Sequence, residues 1–394
     1  MSVYLDHAAT TPVFPEVAAA MAAQRDRVGN ASSLHTAGRA ARRVVEESRE
    51  RLAGVLGARP SEVVFTSGGT ESDNLAVAGV YRARRDADSR RRRLLVSAIE
   101  HHAVLDCVQA LVDREDAEVD WLPCDAQGVV QVADVRAAIE KDPESVALVS
   151  VMWVNNEVGS VQDVAAIAAE ARAHGIPMHS DAVQAVGHLP VDFLASGVDL
   201  LTLTGHKVGG PIGSGALLVR REQSVVPLVH GGGQERQVRS GTLDTVGVLG
   251  LSLAVETAVG QLTVEGPRLC RLRDDLIDGA MGLGYDIRPG GVWGRGDWAS
   301  RSAGNAHLLV PGCEGDSLLY LLDAAGIECS TGSACQAGVP QPSHVLLAMG
   351  LSEREARGAL RLTLGHTSTG ADVAAVLASL PAAVERARRA AGVA

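Results

Sequence analysis

Leu200-Leu201-Thr202-Leu203-Thr204-Gly205-His206-Lys207 decides how this chain is read. An apolar, β-branched run ends in a polar turn holding one lysine, and the glycine-rich loop Gly209-Gly210-Pro211-Ile212-Gly213-Ser214-Gly215 follows. A buried strand that delivers a lysine into a glycine-walled cavity strips water from the ammonium. Burial disfavours the charged form, so the amine becomes nucleophilic near neutral pH, as a Schiff-base lysine requires. The ordinary alternative is a surface lysine on a strand-ending turn. Other residues must choose between the two.

The first of them is Asp181. A helical pattern (Val164, Ile167, Ala168, Ala171) stops at Gly175, and Ile176-Pro177-Met178-His179-Ser180-Asp181 then leads out along a short strand. In open α/β sheets ligands bind beyond the carboxyl ends of the strands, and Asp181 and Lys207 both fall there. A lysine with an aspartate for a pyridinium nitrogen is the protein side of pyridoxal phosphate chemistry. Asp181-Ala182-Val183-Gln184 and Thr204-Gly205-His206-Lys207 resemble the cofactor motifs of the class V aminotransferase family, and within it those of cysteine desulfurases. The resemblance implies an α/β fold of the aminotransferase type I kind. A mostly parallel sheet would form a large domain (15–260), beside a smaller α+β domain (1–14 and 261–394).

Composition bounds the rest. With 46% hydrophobic but only 3% aromatic residues, the core must be built from Ala, Val and Leu. A net charge of −11 argues against non-specific nucleic-acid or membrane-surface binding. The run Arg90 to Arg93 reads as a solvated loop. No stretch reaches the roughly 20 apolar residues of a membrane helix, and the start lacks a signal-peptide pattern. Six cysteines without a C-x-x-C make no disulfide framework, so a reduced, cytoplasmic setting is expected.

Further motifs follow in chain order. Tyr4-Leu5-Asp6-His7-Ala8-Ala9-Thr10-Thr11 reads as an irregular arm and resembles the family's opening, which lies near the active site. After strand Glu62 to Thr66, Ser67-Gly68-Gly69-Thr70 turns into a helix, a ready anion site at the positive end of the helix dipole. Such turns also commonly just cap helices. The resemblance assigns the cofactor phosphate to Gly69 and Thr70, with donors from His206 and Thr204. Strand Leu94 to Ser97 leads to Glu100-His101-His102. No further ligands at metal-site spacing accompany the histidines, and the family's motif makes His101 the imidazole stacked on the cofactor, with a possible part in proton transfer. His102 is read as structural. Val146 to Val151 is an apolar run of the covered parallel-strand kind, and a helix-covered parallel sheet is expected from about 62 to 220. Asn155-Asn156-Glu157-Val158-Gly159 follows, in which the resemblance sets Asn156 against substrate and cofactor and Gln184 against the cofactor ring.

The loop from His230 to Thr242 has no apolar period and needs a function or partner to order it. It matches a family segment whose threonine, here Thr242, reaches the phosphate of a neighbouring subunit, which implies a homodimer. A helix from about Asp244 to Gly260 bridges to the second domain, and Gly290 to Trp298 reads as a surface connection.

Two residues remain. Cys335 stands among Gly332, Ser333, Ala337, Gly338, Pro340 and Pro342. A thiol on a loop of such residues can travel, and the thiolate is the attacking form. The segment resembles the catalytic loop of cysteine desulfurases, in the long-loop subgroup. Thr331 replaces its second serine and Gln336-Ala337-Gly338 its usual hydroxyl residues, which leaves the nucleophile in place. Arg361 sits inside the apolar strand Leu360 to Leu364, where a lone guanidinium is costly without an anion. A bidentate grip on an amino-acid carboxylate would satisfy it, as would an internal ion pair; the family's matching strand favours substrate. The implied activity converts L-cysteine to L-alanine, with a persulfide on Cys335 passed to a protein acceptor for iron-sulfur or thiolation pathways. A selenocysteine lyase or plain aminotransferase, and a non-catalytic dimer that keeps the cofactor structurally, are the rivals.

Overall fold

The computed structural model describes residues 2–332 and 342–392. Its strands are β1 (Val3–Tyr4), β2 (Val63–Thr66), β3 (Arg93–Ser97), β4 (Glu118–Leu122), β5 (Val146–Ser150), β6 (Met178–Asp181), β7 (Leu200–Thr204), β8 (Gly215–Val219), β9 (Arg288–Pro289), β10 (Asn305–Leu309), β11 (Ile327–Glu328) and β12 (Ala359–Thr363). The helices are α1 (Pro15–Arg25), α2 (Thr36–Val55), α3 (Gly69–Ala87), α4 (His102–Glu115), α5 (Val132–Lys141), α6 (Val164–Ala173), α7 (Phe193–Ser196), α8 (Thr245–Met281), α9 (Gly315–Asp323), α10 (His344–Ala348), α11 (Glu353–Arg357) and α12 (Gly370–Ala390).

The main sheet runs β2-β8-β7-β6-β5-β3-β4. Strand β8 is antiparallel to β2 and β7, and the other pairings are parallel. All five residues of β5, and all five of β7, are buried, as strands covered on both faces must be. Each fully buried leucine of β7 contributes about 1.5–3 kcal/mol through the area it removes from water. One face packs on α2, the start of α8 and helices α5 to α7. The other packs on α3 and α4 through Leu75, Val80, Tyr81, Val104, Val108 and Leu111. Register then sets the site: Val96 lies beside Ser150, Ser150 beside His179, and Asp181 beside Thr202. The carboxyl ends of β3, β5, β6 and β7 therefore form one rim.

A second core gathers Leu5, the later turns of α8, β10, β12, α9 and α12. The N-terminal arm crosses to it: β1 pairs with β11, and Asp6 bridges to Thr363. Helix α8 runs unbroken over 37 residues, well past the Gly260 stop read from the sequence, and contains Pro267. Glycine and proline read as breaks there, but both cores pack on the helix, and tertiary burial outweighs local propensity. Gly266 has a specific reason to lack a side chain, since a Cβ would stand 2.7 Å from the Trp298 ring. The Gly290–Trp298 segment is thus packed on α8 rather than a simple surface connection. By length and composition alone α8 could cross a membrane, contrary to the expectation from the sequence. It packs instead along α1, α2 and α12.

The arginine run also differs from its reading. Arg90 meets Asp88 and Glu144, and Arg92 meets Glu118. Arg93 begins β3, buried, with its guanidinium on the carbonyls of Ala138 and Asp142.

Candidate active site

Thr204 ends β7, and a single 3-10 turn, Gly205–Lys207, presents the lysine on the rim. The amine of Lys207 donates to the carbonyls of Ala8 and Ala9, the latter at 2.8 Å, so the N-terminal arm roofs it. Burial, and then the Arg361 charge, lower its pKa to about 8, against the pull of Asp6 and Asp181. The desolvated amine inferred from the sequence is what the fold builds.

Lys207 lines a cavity of about 440 Å³. With it come Gly69, Thr70, His101, Asn156, Asp181 and Gln184, then Thr204, His206 and Arg361. The strand register brings these ten together from segments spread between Gly69 and Arg361. Thr242 lies elsewhere in this chain, in a separate recess beside Ser67, Gly213 and Ser214. Cys335 lies outside the described residues.

Asp181 terminates β6, and one carboxyl oxygen accepts the Val183 N–H at 2.8 Å. Burial and the neighbouring Asp73 raise its pKa to about 7. Asp73 itself, on α3, is raised to about 7 by burial. His179 Nε2 stands 3.5 Å from Asp73 Oδ1, yet that oxygen has no hydrogen-bond partner among the described residues. Burial lowers His179 to about 4, so the imidazole is neutral and the contact is no salt bridge.

His101 caps α4, its Nδ1 accepting the Ala103 N–H at 3.1 Å. That bond leaves the proton of the neutral ring on Nε2. Burial, then the Lys207 charge, hold its pKa near 4. His206 is lowered to about 4 by the same two causes. The Thr204 hydroxyl donates to the Ser214 carbonyl at 3.1 Å. Thr204 also lines the cavity, and rotation of its hydroxyl would turn that hydrogen toward an anion bound there. Gln184 donates to the Ala8 carbonyl at 2.9 Å.

Gly68 and Gly69 open α3, whose free N–H groups face the rim. A Cβ on Gly215 would come within 2.7 Å of Gly68 Cα, so β8 and the turn pack backbone to backbone. Arg361 projects from β12 with Nη2 2.8 Å from Asp6 Oδ1 and Nη1 2.9 Å from the Asn156 carbonyl. The internal ion pair weighed from the sequence thus exists, while Nε has no partner among the described residues.

Several residues of the site were not singled out from the sequence. Asp6, Ala8 and Ala9 belong to an arm expected near the active site, but none of the three was given a role. Asp73 lines the cavity three residues after Thr70, a helical spacing that puts both on one face of α3. Glu157 accepts from Ser343, the cap of α10, at 2.5 Å, and His102 and His344 also line the cavity. Among the described residues no three His, Cys, Asp or Glu side chains converge as a metal site.

Comparison with known proteins agrees with this architecture. Residues 3–376 match the family model described as aminotransferase class-V. An "IscS-like cysteine desulfurase" of Mycobacterium tuberculosis is 58% identical over 388 residues, covering 98% of both chains. A solved "NIFS-like protein" superposes with a TM-score of 0.87 at 33% identity, over 98% of this chain and 99% of that one. Another, described as "SspA in complex with cysteine", gives a TM-score of 0.78 at 33% identity, over 92% and 99%. The chain belongs to the class V aminotransferase family, and within it to the cysteine desulfurases.

Proposed function

We propose that the protein is a homodimeric, pyridoxal phosphate-dependent cysteine desulfurase that forms a persulfide on Cys335 and passes it to a protein acceptor in the cytoplasm. One observation carries the reading: a low-pKa amine, a buried carboxyl and a helix N-terminus share one cavity. They suit, in turn, the aldehyde, the ring nitrogen and the phosphate of pyridoxal phosphate. Gly69, Thr70, Thr204 and His206 would hold the phosphate, Asp181 the ring nitrogen, with His101, Gln184 and Asn156 about the ring. When bound, the cofactor supplies an electron sink for bonds at the substrate's Cα.

The chain's own groups supply the rest. Lys207 Nζ, with a pKa near 8, both takes and returns a proton close to neutral pH. Asp181, raised by burial, gives up its proton once a cation faces it. Arg361 spends one hydrogen of each Nη on Asp6 and the Asn156 carbonyl, which set the guanidinium plane, and its other N–H groups would grip the substrate carboxylate. Thiolate Cys335 attacks the substrate sulfur: an S–S bond forms, the C–S bond breaks, and its electron pair stays with the carbon that becomes alanine. The cysteine-bearing solved relative accords with this substrate.

Arg361 tests the substrate assignment. Arg361→Ala lowers kcat/KM for L-cysteine, measured as alanine formed, by on the order of 2–4 kcal/mol as a charge-assisted pair is lost. Bound cofactor, read from its absorbance, stays. A colourless or unfolded variant would instead make the Asp6 pair the arginine's whole purpose.

Thr242 tests the shared site. Lys207→Ala chains mixed with Thr242→Ala chains give heterodimers in which one site carries neither lesion. Activity returns on mixing. Its absence, with heterodimers shown to form, contradicts a threonine acting across the interface.

A further inference from the structure

His101 and Asn156 reach the cavity from two different turns, one following β3 and the other following β5. The turns are fastened to each other in both directions. Glu100 Oε1 accepts the Met152 N–H at 2.6 Å and the Ser97 hydroxyl at 2.7 Å. Asn155 Nδ2 donates to the Ile99 carbonyl at 3.0 Å, while its Oδ1 accepts the N–H groups of Glu157 and Val158 at 2.9 Å. Each fastening residue immediately precedes a cavity residue, Glu100 before His101 and Asn155 before Asn156. The Glu100 carbonyl also meets His344 Nε2 at 2.9 Å, which ties α10 to the same point.

Glu100 is wholly buried, and among the described residues its Oε2 has no hydrogen-bond partner. The charged groups facing it are carboxyls, Asp181 from β6 and Asp73 from α3. An ionised carboxylate there would have one bare oxygen and two acidic neighbours, a costly arrangement. We propose that Glu100 works as a neutral carboxylic acid and, paired with Asn155, is a positioning residue that sets His101 against Asn156 across the cavity. Burial, foremost, holds its carboxyl well above the usual range, in keeping with that geometry. The Glu100 proton also spares Asp181 a second negative neighbour. The roles of His101 and Asn156 rest on the desulfurase reading; the state and bonds of Glu100 do not.

The test compares E100Q, E100A and N155A with the wild-type holoenzyme. Glutamine keeps the acceptor oxygen and mimics a neutral acid. The infrared difference between wild type and E100Q should contain a protonated-carboxyl stretch, and the Met152 amide should stay protected from hydrogen exchange in E100Q. In E100A and N155A exchange between the two turns speeds up, and kcat/KM falls about 10–100-fold, the scale of a small misplacement of reacting groups. E100Q recovers most of that loss and keeps the wild-type pH profile. A carboxylate rather than carboxylic-acid band, or E100Q as impaired as E100A, overturns the proposal. If E100A does not fold, the E100Q spectrum and exchange decide alone. A wild type inactive on cysteine would sink the desulfurase reading, while the spectrum and exchange still judge Glu100.

Discussion

Lys207→Ala abolishes cysteine turnover, and the chain offers an unusually clean way to check why. It contains two lysines, Lys141 and Lys207. Lys141 is exposed at the end of α5 beside Asp120, on the edge of the sheet. Borohydride treatment of the holoenzyme followed by peptide mapping therefore has two possible answers, and the expected one is a pyridoxyl group on Lys207. The loss on substitution should be at least about 10²–10⁴-fold, the usual contribution of a positioned acid–base group alone. In cofactor-free protein the same residue titrates in view. An amine reagent such as trinitrobenzenesulfonate attacks only the neutral amine, so labelling of Lys207 should rise as pH increases through about 8. The sign follows from burial and the Arg361 charge, both of which disfavour the ammonium. Arg361→Ala removes one of these, so it should move that midpoint upward. A label on Lys141, or a midpoint that ignores Arg361, would remove Lys207 from the centre of the site.

How much of this was legible depended on distance along the chain. Continuous apolar runs such as Val146 to Ser150 and Leu200 to Thr204 announced covered strands, because a parallel sheet hides both faces. The residues at their ends followed. Helix α8 was cut short in the reading, since its glycines and proline are local signals and the two cores that override them are not. Glu100 and Asp73 escaped because a carboxylate in a sequence looks solvated; only the folded rim shows them buried. The Arg361–Asp6 pair joins residues 355 positions apart, and nothing in either neighbourhood names the other. An arginine in an apolar strand demands an anion without saying which.

Cys335→Ser should leave folding and cofactor binding intact and stop sulfur transfer. The substitution exchanges sulfur for oxygen with little change in volume, in a segment rich in glycine and other small residues. The other cysteines give the reaction no substitute. Burial pushes the thiols of Cys107 and Cys329 up to about 12 and that of Cys124 to about 11. Burial also raises Cys270 and Cys313. A thiol held that high is almost entirely protonated at neutral pH, and the thiolate is the form that attacks. The variant should still bind cysteine, seen as a change in cofactor absorbance, yet release neither alanine nor sulfide. Selenocysteine separates the rival enzyme: its selenol leaves more readily, so residual turnover on it is compatible with a lost nucleophile. Wild-type rates on cysteine by Cys335→Ser would exclude persulfide formation at this residue and favour a lyase that needs no thiolate.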